Sequence, residues 1–141
     1  MNTTAEIFAD YLGLTPEGAP WAYGKVSCPS CKGAIWIRRS RSENDRCPNC
    51  RGGWIKGLTA TSPLAEKPTP GWASVLLRWR LFNEIEVYWK SGVQTFDACV
   101  APQCDMFNAL TPERAMCLAM IDADPDLRAR CEAASDWEVV K

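Results

Sequence analysis

Cys28-Pro29-Ser30-Cys31-Lys32-Gly33 is answered, with fifteen residues between Cys31 and Cys47, by Cys47-Pro48-Asn49-Cys50-Arg51-Gly52. Both stretches read Cys-Pro-X-Cys-basic-Gly. Two residues between paired cysteines let the chain curl until both sulfurs aim at one point. Proline fixes φ at the second position of that curl. The closing glycine permits a sharp exit. Four soft sulfur donors presented by two such hooks suit a tetrahedral ion held at ~2.3 Å. One structural zinc on Cys28, Cys31, Cys47 and Cys50 is therefore the expectation. The intervening residues suffice for a strand out, a turn and a return. Ala34-Ile35-Trp36-Ile37-Arg38 reads as the outgoing strand and Ser42-Glu43-Asn44-Asp45 as the turn.

The paired hooks resemble the zinc-ribbon family, in which two such knuckles cap a small β-hairpin. On knuckle spacing they are also loosely similar to the small phage zinc-finger translational regulators of the Com type. The resemblance covers residues 25–58 only. The glycine usual directly after each hook's second cysteine is displaced by one position here, with Lys32 and Arg51 intervening.

Eight cysteines are also compatible with a disulfide framework, but that needs export. The N-terminus, Met-Asn-Thr-Thr-Ala-Glu-Ile-Phe, has no basic start followed by an apolar run. No apolar stretch reaches the ~18–20 residues that cross a bilayer. A reducing, cytoplasmic setting is expected. Two redox-active pairs are the other alternative, yet Arg51-Gly52-Gly53 does not open a helix as such a pair requires. Cys99, Cys104, Cys117 and Cys131 have no recognised spacing. Buried thiols are their default reading, with a second zinc site as the alternative.

Net charge is −1, but it is unevenly placed. Residues 25–56 carry +6 and the remainder −7. Four thiolates and one zinc would leave the loaded segment near +4.

Residues 1–24 read as a short helix, Thr4 to Leu12, capped by Thr3 or Thr4 and ended by Gly13, with an irregular lead-in after it. Residues 25–58 are the ribbon. Residues 59–71, with Pro63, Pro68 and Pro70, read as a linker. Residues 72–141 read as an α+β region. Leu77-Arg78-Trp79-Arg80-Leu81 and Glu84-Ile85-Glu86-Val87 alternate apolar and charged residues, which is strand period. Lys90-Ser91-Gly92 resembles a hairpin turn into Val93-Gln94-Thr95-Phe96. A helix from Trp72 to Lys90 is the rival. Thr111-Pro112-Glu113 and Asp124-Pro125-Asp126 each start a helix with a cap, a proline and an acid. The fold class expected is α+β: a four-cysteine ribbon, then a β-hairpin and a C-terminal helical pair.

The chain has no histidine, no glycine-rich phosphate loop and no nucleophile elbow. A zinc held by four cysteines has no open position for a substrate. Binding rather than catalysis is expected, without a small-molecule substrate or a membrane. Lys32, Trp36, Arg38, Arg39, Arg41, Arg51, Trp54 and Lys56 are the candidate contacts, charge serving phosphate and indole serving base stacking. Nucleic acid is the leading partner and another protein the rival. For Trp36 the first reading is packing on the ribbon's buried face.

Overall fold

The computed structural model describes residues 2–19, 21–38, 44–101 and 105–141. Twelve elements follow along the chain: α1 (Thr4–Tyr11), β1 (Tyr23–Ser27), β2 (Trp36–Arg38), β3 (Asn44–Arg46), β4 (Trp54–Leu58), α2 (Gly71–Asn83), β5 (Ile85–Lys90), β6 (Thr95–Val100), β7 (Phe107–Ala109), α3 (Pro112–Ala123), α4 (Pro125–Glu132) and α5 (Trp137–Val140). The fold is α+β, with helices and small antiparallel sheets. They fall into two compact units, Pro16–Thr59 and Met1–Thr15 together with Ala60–Lys141.

The first unit holds two two-stranded antiparallel sheets, β1 with β4 and β2 with β3. Asn44 and Asp45 belong to β3 rather than to a turn, because Arg38 pairs with Asn44 and Ile37 with Asp45. Ser42 and Glu43, also placed in that turn, lie outside the described residues. Buried Cys28, Cys31 and Cys47 form the centre, with Ile37, Cys50 and Ile55 packed around them.

In the second unit the helix starts follow their local chemistry. Thr3 and Glu6 form a reciprocal capping box at α1. The Thr111 hydroxyl accepts the Arg114 N–H at the start of α3, and Asp124 accepts from Asp126 and Leu127 at α4. The core is built on Trp72, Phe8, Leu64, Leu76, Met116 and Leu127. Pro63 and Leu64, in the stretch whose composition suggests a linker, are fully buried. The Thr4 hydroxyl lies 2.6 Å from that of Ser62, and the Trp72 indole N–H donates to the Thr61 carbonyl at 2.6 Å.

The strand reading of Leu77–Leu81 is overturned, since these residues lie within the helix α2. Trp72 and Leu76 are buried, with Val75 and Trp79 partly buried. That is an i, i+3, i+4, i+7 stripe that begins before the alternating stretch. Glu84, at φ 52°, ends the helix in the left-handed region and turns the chain into β5. The hairpin forms, β5 against β6, with Lys90 still in β5 and Val93 and Gln94 in the turn rather than the returning strand, and β7 adds a third strand. Asp97 is buried on β6, where the Asn108 amide and the Lys90 ammonium hold its carboxyl below the usual range.

Candidate metal centre

The two hooks converge. All four sulfurs lie within 4.8 Å of one another, with Cys28 Sγ 3.8 Å from Cys47 Sγ and Cys31 Sγ 3.7 Å from Cys50 Sγ. A tetrahedron with sulfur arms of ~2.3 Å has an edge of about 3.8 Å. A disulfide would need ~2.05 Å, far shorter than either contact. Among the described residues this is the one cluster of cysteine and carboxylate groups dense enough to hold a metal ion. Cys99, Cys117 and Cys131 are buried thiols, and Cys104 lies outside the described residues. Burial pushes the Cys131 thiol up to about 11 and raises Cys117 well above its ordinary value.

The backbone around the hooks explains the convergence. Cys28 N–H donates to the Gly53 carbonyl at 2.8 Å, and Cys47 N–H to the Ile35 carbonyl at 2.7 Å. Each hook is thus anchored beside the other. The Asn49 amide donates to the Ser30 hydroxyl at 3.0 Å, joining the X positions of the two patterns. Ile35 stands at φ 73°, a conformation a β-branched residue rarely adopts. It is held there with its carbonyl bonded to the second hook.

Both hooks leave through a tight turn whose two central residues have positive φ, as in a type I′ turn. In the first hook the turn runs Cys31-Lys32-Gly33-Ala34, closed by Ala34 N–H to the Cys31 carbonyl at 2.9 Å, with φ of 53° and 84°. In the second it runs Arg51-Gly52-Gly53-Trp54, with φ of 62° and 90°. The second turn starts one residue later, so both central positions are glycine there. Gly53 has no room for a side chain: a Cβ would lie 2.7 Å from the Gly33 carbonyl oxygen.

The electrostatics fit a cation. The backbone N–H groups of Cys31 and then Ser30 pull the Cys28 thiol down to about 7. The Asn49 N–H acts likewise on Cys47, but burial and the thiols of Cys28 and Cys31 outweigh it and the net shift is upward. Burial foremost, then the neighbouring thiols, pushes Cys50 up to about 12. Four converging sulfurs cannot all ionise alone, and a divalent ion at their centre reverses that. Cys28, Cys31, Cys47 and Cys50 therefore have the geometry and chemistry to hold a metal ion.

The outer surface of the unit differs from expectation at one point. Trp36 is 54% exposed and does not pack in the unit's interior. The sulfurs, Ile37 and Ile55 already fill that space. Trp54 is 49% exposed as well. On the β1–β4 pair, Lys25 stands directly opposite Lys56 and Ser27 opposite Trp54, so Lys25, Lys56 and Trp54 share one face. Lys25, Arg51, Trp54 and Lys56 line a groove of about 890 Å³ that reaches Asn49 and Cys50. Lys25 carries no signal of its own in the sequence; strand register reveals it. Lys32 is exposed at the other hook's turn. Arg38 ends β2, while Arg39 and Arg41 lie outside the described residues.

Scanned against protein-family models, curated proteins and solved structures, the chain matches none. Among the described residues no helix is long and apolar enough to cross a membrane.

Proposed function

We propose that Pro16–Thr59 is a zinc ribbon whose basic face binds nucleic acid, and that the chain works as a nucleic-acid-associated regulator rather than an enzyme. Four cysteines favour zinc over harder cations and close its coordination shell, which gives the ion a structural task. Histidine, the commonest acid–base residue, is absent from the sequence.

One observation carries the nucleic-acid reading: Lys25 and Lys56 face each other across β1 and β4, with the exposed Trp54 on the same face. Like charges directly opposite in an antiparallel pair are unfavourable. A phosphate between them relieves that repulsion, and the indole offers a base a stacking surface. Lys56 pairs with Glu17 at 3.9 Å, and both side chains are exposed. That contact is weak enough for a phosphate to displace.

A salt titration against single-stranded and duplex DNA and RNA tests this reading. Affinity should fall steeply with salt, and Lys25→Ala with Lys56→Ala should reduce the salt slope by about 1.4 for a single strand. Trp54 fluorescence should be quenched on binding. Loss of affinity in an Arg38/Arg39/Arg41→Ala triple variant would extend the contact to that stretch. No binding at low salt would leave the rival, a zinc-stabilised protein-interaction or assembly subunit, for which the exposed Trp36 and Trp54 are suitable anchors. Native mass spectrometry should find one zinc per chain; two would place a further ion among Cys99, Cys104, Cys117 and Cys131.

A further inference from the structure

Among the described residues the three-stranded sheet has the order β5-β6-β7, which leaves β5 at an edge. Strand side chains alternate between faces. Ile85, Val87 and Trp89 therefore share one face of β5, and Glu86, Tyr88 and Lys90 the other. Tyr88 is 49% exposed and Trp89 54%, although the Trp89 ring lies 4.8 Å from Phe96. Edge strands presenting large apolar groups invite pairing with another chain.

We propose that β5 pairs antiparallel with β5 of a second copy of this chain, about a two-fold axis at Tyr88, to give a continuous six-stranded sheet. Its charges choose this partner and this register. Glu86 and Lys90 lie two residues either side of Tyr88. With Tyr88 opposite its own image, Glu86 of each copy faces Lys90 of the other, twice by symmetry. On the other face, Val87 of each copy faces Trp89 of the other.

Only registers centred on a residue keep each face intact. Centring on Val87 sets Glu86 opposite Tyr88, and centring on Trp89 sets Lys90 opposite Tyr88. Centring on Glu86 or on Lys90 brings two like charges together. The register at Tyr88 is the one of these that sets opposite charges face to face, beside the Tyr88 hydroxyl that donates to Glu86 within each chain. Charges placed merely to keep an edge solitary would repel their own image; this pair attracts it. The Lys90 ammonium, 3.0 Å from Asp97 in its own chain, has three donors and can hold both carboxylates.

The test is the molar mass of the zinc-loaded full chain by light scattering at micromolar concentration. The wild type should be a dimer. Glu86→Lys keeps the Lys90–Asp97 pair and sets lysine against lysine; it should be monomeric with an unchanged circular dichroism spectrum. Lys90→Glu sets glutamate against glutamate and should also be monomeric. An equimolar mixture of the two variants should recover a dimer, because each lysine then faces a glutamate. A monomeric wild type, a Glu86→Lys dimer, or a mixture that stays monomeric would each overturn the proposal.

Discussion

In Pro16–Thr59 the buried centre is three cysteines with two isoleucines and a fourth cysteine around them, whereas the larger unit is centred on Trp72, Phe8, Leu64, Leu76, Met116 and Leu127. In the proposed reading, one unit takes a metal in place of the apolar side chains it lacks. The other buries enough hydrocarbon to offset its conformational entropy in the ordinary way. The two should therefore fail under different insults. The largest expected effect is metal removal. Chelation, or Cys47→Ser, withdraws a binding free energy of about 10 kcal/mol that is coupled to folding. Hydrogen exchange read by mass spectrometry should show β1 and β4 losing protection while α3 and β6 keep theirs. Native-like protection in β1 and β4 of the stripped protein would mean that the ion is not the ribbon's core.

The complementary perturbation is Phe8→Ala. Phe8 is fully buried in α1, and truncating such a residue costs about 3–5 kcal/mol. The larger unit should unfold at markedly lower denaturant concentration. Zinc affinity, measured by competition with a chromophoric chelator, should not change. A parallel loss of zinc affinity would break the comparison by showing the two units to be energetically coupled.

The same contrast governs how far the sequence could be read. The hooks are legible because metal ligation imposes a short, rigid spacing, and four cysteines announce it without any knowledge of the rest. The caps at Thr3, Thr111 and Asp124 are legible for a similar reason: each satisfies backbone groups within four residues of itself. The α2 helix is not local in this sense. Leu77-Arg78-Trp79-Arg80-Leu81 alternates as a strand does, and only the burial of Trp72 and Leu76 on tertiary contacts decides for helix. Trp36 misleads for the opposite reason. A large aromatic in a small domain normally fills the core, but a centre made of sulfur has no space for an indole. Lys25 counts toward the basic segment, but its place on the face comes from pairing with Lys56, and register across 31 residues is not written in local pattern.

A smaller effect probes the point where the two hooks touch. Gly53→Ala combines a φ of 90° with a Cβ set 2.7 Å from the Gly33 carbonyl oxygen. The left-handed conformation alone costs an ordinary residue about 1–2 kcal/mol. On the proposal that Pro16–Thr59 folds with its ion, the loss should read out as zinc affinity weakened by about tenfold or more, since 1.4 kcal/mol is one decade. Cys28 depends on the Gly53 carbonyl, so its amide should exchange faster in the variant. Unchanged affinity would show that the two turns can separate without disturbing the sulfurs.

The smallest effect compares the hooks with each other. The second hook meets its turn with two glycines, whereas the first puts Lys32 at φ 53° in the corresponding place. Lys32→Gly removes that strain but also removes a positive charge beside four thiolates, so the single variant mixes two terms of opposite sign. Lys32→Ala loses the same charge and keeps the strained Cβ. Glycine should therefore hold zinc more tightly than alanine at this position, by about 1 kcal/mol, or roughly fivefold. Arg51 lies before its turn's two central residues and has no positive φ to relieve. Arg51→Gly should accordingly show no such advantage over Arg51→Ala. Equal gains at both positions would mean that glycine acts through general loosening of the knuckles, and that the one-residue offset between their turns has no energetic consequence.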